Sequence, residues 1–223
     1  MTEEIKATKD RKQRRTKRVF QTVQESFWAG EFGEEYLERN CDPNLIPKRT
    51  AIFTKVLNQA QGVKSILELG ANIGQNLISL HELLPECTLA GLEINNKTAQ
   101  LLGSLPYVQV FSGSIFDFTP LQLGRYDLTF TFAVLIHINP ARLIEAYRRL
   151  YECTQRYILV MEYYNPTPTS VLYRGRARRL FKRDFAGELL AYYPDLHLVD
   201  YGFLYHRDPI IPVDDFTWFL LEK

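Results

Sequence analysis

The chain has 223 residues and a formal net charge of +1, with 46% hydrophobic and 24% charged residues. This length suits one α/β domain with an extension, and the balanced charge excludes bulk attraction to nucleic acid. Cys41, Cys87 and Cys153 are far apart and form no CxxC pair, which argues against a disulfide framework or a metal site. Without an apolar leader or an apolar run of membrane-spanning length, the sequence predicts a cytoplasmic protein that does not enter a membrane.

Residues 1–46 are predicted to form an extension that precedes the main domain. Residues 9–18 are strongly basic, and we expect a solvated or frayed end there, with an arm for nucleic acid or an acidic partner as the alternative. Further along, Trp28, Phe32 and Tyr36 recur every four residues, which predicts one aromatic stripe on a helix. This stripe is either a lid over a ligand or a static element on the outer face of a sheet.

Residues 47–223 alternate in a way that is typical of an α/β domain. A helix is expected after Pro47, and its buried face is predicted to contain Ile52, Phe53, Val56 and Leu57. After it, strands are predicted at 63–69, 88–93, 108–111, 127–132 and 157–161, and helices at 74–84, 97–102 and 141–152. Such alternation predicts a parallel sheet with helices on both faces.

The end of the chain breaks this alternation. Residues 196–205 and 213–221 have the pattern of two strands, and the loop between them contains proline and no helix. Neighbours of this kind are expected to pair antiparallel. The predicted fold is a Rossmann-like three-layer sandwich, with a mostly parallel seven-stranded sheet that ends in an antiparallel hairpin.

The strongest motif lies at the first strand-to-helix turn. Gly70 and Gly74 permit a tight turn and a close approach of the backbone to a ligand. A dinucleotide-binding turn would need glycine where Asn72 and Gln75 stand. Glu68 would repel phosphates, but it suits a ligand that carries an ammonium and a sulfonium. The charges therefore favour S-adenosylmethionine over NAD.

An acidic residue ends the second predicted strand. Glu93 follows the glycine turn by about twenty residues, a position from which a carboxylate can accept hydrogen bonds from both hydroxyls of a ribose. The alternative is that Glu93 only provides negative charge at the start of the next helix.

These features together resemble the class I S-adenosylmethionine-dependent methyltransferases. The resemblance covers residues 50–223 and is carried by the turn at 68–74, by Glu93, and by the segments at 113–117 and 126–138. It implies that Glu68 reaches the methionine ammonium, that the glycine turn lies under the methionine moiety, and that Glu93 holds the ribose. The predicted cofactor-binding residues are Glu68, Gly70, Asn72, Gly74, Asn76, Glu93, Ile94, Ser114 and Ile115, together with Arg39 of the extension, which would approach the cofactor carboxylate.

Two positions depart from the pattern of this family. Many relatives have glycine where Asn72 stands, which bears on the conformation of the turn. Many also have aspartate where Ser114 stands, and that carboxylate accepts a hydrogen bond from the adenine amine. A serine hydroxyl does this more weakly, so adenine recognition is expected to use backbone groups such as that of Ile115.

A narrower resemblance covers nearly the whole chain. The aromatic segment at 27–40, with Val134–Ile138, is similar to the pseudaminic acid biosynthesis-associated methylases. It implies an acceptor related to a sugar or a sugar nucleotide.

The acceptor side is predicted to follow the fourth and fifth strands. His137 would face the transferable methyl, where it deprotonates or orients the acceptor, or else it packs against the cofactor loop or caps the next helix. The segment at 162–179 is rich in tyrosine and arginine and is expected to cover the substrate mouth, with a solvated helix face as the alternative for its arginines. Because arginine pairs well with carboxylate or phosphate, the acceptor is expected to be anionic. The predicted catalytic residues are His137, Tyr163 and Arg174.

The sequence thus predicts methyl transfer from S-adenosylmethionine to a small polar acceptor. A methyltransferase-fold protein that modifies or binds RNA is one alternative, and an NAD-dependent oxidoreductase is another. The sequence leaves the oligomeric state open.

Overall fold

The structure is a computed structural model, and it describes residues 20–223. The basic run at 9–18 therefore lies outside the described residues. Among the described helices, none is long and apolar enough to cross a membrane.

Strands and helices alternate from Ser65 onward, after three helices. The strands are β1 (Ser65–Leu69), β2 (Thr88–Glu93), β3 (Val108–Ser112), β4 (Tyr126–Phe132), β5 (Thr154–Glu162), β6 (Thr169–Tyr173), β7 (Arg176–Lys182), β8 (His197–Phe203) and β9 (Thr217–Glu222). The α-helices are α1 (Val23–Ala29), α2 (Glu31–Arg39), α3 (Leu45–Leu57), α4 (Gln75–Leu83), α5 (Asn96–Leu102), α6 (Pro120–Leu123), α7 (Leu143–Glu152) and α8 (Phe185–Tyr192). Two short 3₁₀ turns cover Leu135–His137 and Pro140–Arg142.

Seven strands form one sheet in the order β3-β2-β1-β4-β5-β9-β8. The first five strands of this order are parallel, whereas β9 is antiparallel to both β5 and β8. The prediction of a Rossmann-like, mostly parallel seven-stranded sheet with an antiparallel hairpin at the end is confirmed.

The sheet is buried on both faces, as expected of a parallel sheet covered by helices. On one face Ile66 packs in a cluster with residues of α3 and α4, among them Phe53 and Leu80. On the other face Leu67 packs in a cluster with residues of α7 and α8, such as Leu143 and Leu189. Adjacent residues of β1 thus point to opposite helical layers, which gives the three-layer sandwich.

The helix predicted after Pro47 begins slightly earlier, at Leu45. Its predicted face is confirmed, because Ile52, Phe53 and Val56 are buried and Leu57 is half-buried against the same cluster.

The prediction that Trp28, Phe32 and Tyr36 lie along one helix is wrong. The chain leaves α1 at Gly30, whose backbone is extended, and then begins α2. The two helices pack very closely, since a Cβ at Gly33 would lie 2.0 Å from the carbonyl oxygen of Trp28. The aromatic side chains still meet, because the ring centroid of Trp28 lies 5.4 Å from that of Phe32 and 5.2 Å from that of Tyr36.

A hairpin and a helix follow the fifth strand where the sequence predicted only a covering segment. Strands β6 and β7 pair antiparallel in a separate two-stranded sheet, and α8 follows them. At the hairpin turn Arg174 and Gly175 have φ of 49° and 75°. Two central residues with positive φ are typical of the tight turns that join antiparallel strands.

Candidate active site

A cavity of about 530 Å³ lies at the carboxyl ends of the parallel strands. This volume is within the usual range for small-molecule sites. Two kinds of segment form its walls. The strand ends and loops of β1, β2, β3 and β4 contribute residues 68, 70–73, 75–76, 92–95, 114–116 and 132–134. Covering segments contribute residues from α1, α2 and α3 and from the loop at 206–216.

The glycine turn after β1 has the conformation that its residues allow. Gly70 and Gly74 have φ of 84° and 83°, in the left-handed region that favours glycine. A Cβ at Gly70 would lie 2.5 Å from a methyl group of Val134, so the close packing also requires glycine there. Asn72 has φ of 49°, and asparagine tolerates this region better than most other residues do. Asparagine can therefore take the place of the glycine that many relatives have.

Two charged side chains meet at the amide group of Asn76. Its Nδ2 donates a hydrogen bond to Oε1 of Glu68, and its Oδ1 accepts one from the guanidinium of Arg49. The other oxygen of Glu68 and the Nε of Arg49 are buried, and neither has a hydrogen-bond partner within residues 20–223. All three residues line the cavity. The site therefore presents an unused carboxyl oxygen and an unused cationic donor side by side.

Burial controls the protonation of Glu68. The side chain is 1% exposed, and desolvation raises its pKa to about 8, although the hydrogen bond from Asn76 and the charge of Arg49 oppose this shift. A cationic group that entered the cavity beside Glu68 would favour the ionised form.

Glu93 ends β2 and fastens the glycine turn. Its Oε2 accepts a 2.8 Å hydrogen bond from the backbone N–H of Asn72, and its Oε1 accepts one of 2.8 Å from that of Asn95. Burial raises the pKa of this carboxyl as well. A carboxylate has about four lone pairs, so Glu93 keeps acceptor capacity for a ligand beside these backbone bonds. Glu93 and Ile94 both line the cavity.

Ser114 and Ile115 also line the cavity, in the loop that follows β3. The hydroxyl of Ser114 donates a 2.7 Å hydrogen bond to the carboxylate of Glu25, in α1. The carboxylate of Glu25 thus lies beside Ser114, the position where many relatives have aspartate.

His137 lines the cavity in the 3₁₀ turn after β4. Its Nδ1 lies 2.7 Å from the carbonyl oxygen of Arg179, which can only accept, so Nδ1 carries the proton and Nε2 is a hydrogen-bond acceptor. Burial lowers the pKa of His137 to about 4. Its ring contacts Trp28, at a centroid distance of 4.5 Å, and Tyr173, at 5.1 Å.

Glu162 holds the loop that carries His137. The buried carboxylate, at the end of β5, accepts hydrogen bonds of 3.0, 3.0 and 3.3 Å from the backbone N–H groups of Val134, Leu135 and Ile136. Desolvation raises the pKa of Glu162 to about 7, and these hydrogen bonds oppose the shift. The residue positions the loop and does not line the cavity.

The aromatic segment covers the cavity, since Trp28 of α1 and Gly33 and Tyr36 of α2 line it. The Nδ2 of Asn95 donates to the carbonyl oxygens of Trp28 and Gly30, each at 3.3 Å, and so fastens the junction of α1 and α2 to the end of β2. The segment lies over the cavity at the strand ends and not on the outer face of the sheet. This is the location that the interpretation as a lid requires.

Gly74 shapes the turn without lining the cavity, and three other predicted site residues also lie outside its lining. Arg39 is exposed on α2, where it pairs with Glu35 at 3.6 Å and lies over the ring of Phe32. Arg174 is exposed at the hairpin turn, because the segment that contains it folds into β6 and β7 and does not form a mouth.

The third of these residues, Tyr163, lies behind the wall of the cavity. Its ring stacks on Phe216 at a centroid distance of 4.6 Å, and its hydroxyl donates a 2.9 Å hydrogen bond to Asp214. Because Phe216 and Asp214 line the cavity, Tyr163 supports the wall from outside.

Arg49 and Glu25 belong to the site but were not predicted from the sequence. Arg49 lies three residues before Ile52 and four before Phe53, so helical spacing places it on the buried face of α3, where an arginine is unusual. Glu25 follows Thr22 by three residues, which is the spacing of a capping box. Both features were present in the sequence.

Several solved structures share this fold. The fold is similar to that of a magnesium protoporphyrin IX methyltransferase from Synechocystis PCC 6803 with bound S-adenosylhomocysteine (12% identity, TM-score 0.63, 90% of this chain and 98% of that one). It is also similar to the plantazolicin methyltransferase in complex with the same ligand (14% identity, TM-score 0.62, 90% and 94%). A third similar structure is a Burkholderia thailandensis 1,6-didemethyltoxoflavin-N1-methyltransferase (14% identity, TM-score 0.63, 90% and 87%).

No protein-family model and no curated protein matches the chain. The solved structures show that the chain has the Rossmann-like fold of the class I methyltransferases. At these levels of identity the similarity concerns the fold.

Proposed function

We propose that this protein is an S-adenosylmethionine-dependent methyltransferase that acts on a small polar acceptor. The observation that carries the proposal is the charge arrangement at Asn76. The free oxygen of Glu68 suits the ammonium of a methionine group, and the free N–H groups of Arg49 suit its carboxylate. Asn76 uses only one atom of each charged group. The other oxygen of Glu68 and the Nε of Arg49 therefore stay available to such a ligand.

The remaining cofactor contacts follow from the loops along the strand ends. Glu93 is assigned to the ribose hydroxyls, Ile94 and Ile115 to the faces of the adenine ring, and the turn with Gly70 to the methionine chain. All of these residues line the same cavity as Glu68. When bound, the cofactor supplies a methyl group on a sulfonium, which is transferred by an in-line displacement in which alignment of the reactants contributes heavily.

His137 is assigned to the acceptor. Since Arg179 fixes the proton on Nδ1, Nε2 can accept a hydrogen bond from an acceptor hydroxyl or amine. A pKa of about 4 makes this nitrogen a weak base at neutral pH, so orientation of the acceptor is its expected role. The rings of Trp28 and Tyr36 close this part of the cavity.

The chemistry of the acceptor beyond small and polar stays a prediction. The two segments that resemble the pseudaminic acid biosynthesis-associated methylases meet where Trp28 contacts His137, which supports a shared function for them. The prediction of an anionic acceptor has less support, because Arg174, Arg176 and Arg178 do not line the cavity. Asp214 and His206 line its outer part and suit polar, uncharged groups such as hydroxyls.

Calorimetric titration of the full chain tests the proposed function. We expect S-adenosylhomocysteine to bind, and NAD not to bind, because Asn72 and Gln75 stand where a pyrophosphate-binding turn needs glycine. Measurable affinity for NAD together with none for S-adenosylhomocysteine would overturn the proposal.

Two arginine variants provide a matched control for this titration. Arg49→Met keeps an apolar stem over Phe132 but removes the donors, and we expect it to weaken binding by about 1.5–3 kcal/mol, or roughly 10- to 150-fold. Arg39→Met removes an exposed arginine and should change the affinity by less than about twofold. Equal losses in both variants would remove Arg49 from its assigned role.

We also propose that residues 26–40 act as a lid. The segment covers the cavity, and lids are usually drawn from elements of low local stability. Hydrogen exchange should therefore show little protection at 26–40 in the free protein and clear protection with S-adenosylhomocysteine. Full protection without ligand that does not change on binding would show a static wall.

A further inference from the structure

A carboxylate in the cavity wall is not explained by the cofactor motifs. Glu25 lies in α1, is 7% exposed and lines the cavity. Its Oε1 accepts a 2.7 Å hydrogen bond from the hydroxyl of Ser114, which is 89 residues away in the sequence. The side chain thus joins the extension to the loop after β3.

The orientation of this carboxylate is fixed from its other side. Oε2 of Glu25 accepts hydrogen bonds from the backbone N–H and from the hydroxyl of Thr22, both at 3.0 Å. Together with the bond from Glu25 N–H to Thr22, these contacts form the capping box that begins α1. Both acceptor sites of Oε2 are therefore used, whereas Oε1 has one lone pair beyond the bond from Ser114.

The Ser114 hydroxyl gives its single proton to Glu25 and accepts a 3.3 Å hydrogen bond from the backbone N–H of Phe116. One of its two lone pairs therefore remains, but a neutral hydroxyl is a weaker acceptor than a carboxylate oxygen. The stronger acceptor of this pair is Oε1 of Glu25. The neighbouring side chains of Ile115 and Phe116 also line the cavity and are apolar, as a planar ring requires.

We propose that Glu25 recognises the adenine ring of the cofactor by accepting a hydrogen bond from its exocyclic amine through Oε1. This inference rests on the proposed function. The extension would then supply the acceptor that many relatives carry at the position of Ser114, and α1 would be part of the cofactor site as well as its cover.

The variant Glu25→Gln separates this role from helix capping. Glutamine also forms capping boxes, so its amide oxygen can keep the two bonds from Thr22. Its NH₂ group then faces Ser114 and the ring. The atom that faces the ring thus changes from an acceptor to a donor, while the helix start is retained.

The test compares S-adenosylhomocysteine with S-inosylhomocysteine, in which an oxo group replaces the exocyclic amine, by calorimetric titration. The natural chain should prefer the adenine ligand by about tenfold or more. Glu25→Gln should lose this preference or reverse it, because its NH₂ can donate to the oxo group. Thr22→Ala removes the cap but leaves the Glu25 carboxylate, and it should keep the preference of the natural chain.

The double variant Glu25→Gln/Ser114→Asp provides a rescue, because aspartate restores an acceptor beside the ring. It should regain a preference for the adenine ligand. A folded Glu25→Gln protein with the preference of the natural chain would overturn the assignment alone and leave Glu25 as a capping residue. Failure of the natural chain to bind either ligand would overturn the proposed function, and the assignment with it.

Discussion

The affinity for S-adenosylhomocysteine is expected to rise about tenfold from pH 6 to pH 7, because the ligand ammonium pairs with ionised Glu68. With its pKa raised to about 8 by burial, Glu68 is roughly 1% ionised at pH 6 and roughly 9% at pH 7. Binding therefore releases a proton in this range. Calorimetric titrations in buffers of different ionisation enthalpy measure both the affinity and the released proton.

The variant Glu68→Gln identifies the group responsible. Glu162, with a pKa of about 7, also titrates in this range, and burial raises the pKa of Glu93, but both groups remain in the variant. His137 stays neutral, and the ligand amine stays protonated below about pH 7.5. Glu68→Gln should bind more weakly and with little dependence on pH. A slope as steep as that of the natural chain would assign the proton to another group.

The variant Glu162→Ala is expected to lower the free energy of unfolding by about 3–5 kcal/mol. It leaves the backbone N–H groups of Val134, Leu135 and Ile136 without their acceptor in a buried loop. Urea unfolding at pH 7.5 measures the loss. Glu86→Ala, at an exposed position, is the matched control and should cost less than about 0.5 kcal/mol. Equal losses in the two variants would contradict a structural role for Glu162.

The milder variant Glu162→Gln tests the effect of pH on stability. The pKa of Glu162 is about 7 in the folded protein, above the usual value of about 4.3 for an unfolded chain. Between these values the folded state holds the proton more tightly, so this group contributes stability at low pH that is lost as the pH rises to 7. The difference in unfolding free energy between the natural chain and Glu162→Gln should therefore shift by about 2–3 kcal/mol between pH 5 and pH 7.5. A constant difference would show that Glu162 is ionised throughout.

The sheet could be predicted from the sequence because its determinants are local. Buried parallel strands are short apolar runs, and each ends at a residue that changes the chain direction, as Gly70 does after β1. The limits of β2 were predicted to the residue, and the pairing of β8 with β9 followed from the missing helix between them. Glu68 and Glu93 were placed at strand ends by the same reasoning, and both line the cavity.

The covering segments could not be predicted in the same way, because contacts between distant residues determine them. The break at Gly30 depends on the close packing of Gly33 against Trp28. Both Arg39 and Arg49 lie on helices near the cavity. The spacing of aromatic residues pointed to Arg39, whereas Arg49 was predictable only from the apolar spacing of α3, whose buried face it shares with Ile52 and Phe53.

The hairpin β6–β7 was missed for a related reason. Its exposed arginines suggested a ligand-binding surface, whereas the turn at Arg174 and Gly175 requires only that both residues adopt positive φ. The segment contacts the site through the carbonyl oxygen of Arg179, which bonds His137, and through the ring of Tyr173, which lies against the same imidazole. A backbone contact of this kind leaves no trace in side-chain composition.

The direct connection of α1 to α2 at Gly30 has a consequence for turnover. Within about fifteen residues this stretch contacts Ser114 at one end of the cavity, through Glu25, and borders Arg49 at the other, through Tyr36. If this stretch moves as the proposed lid, one displacement would uncover both parts of the cavity, and the demethylated cofactor and the methylated product would leave through the same opening event. Such an enzyme would have one gating rate common to both products, and changes at the junction near Gly30 would alter both release steps together.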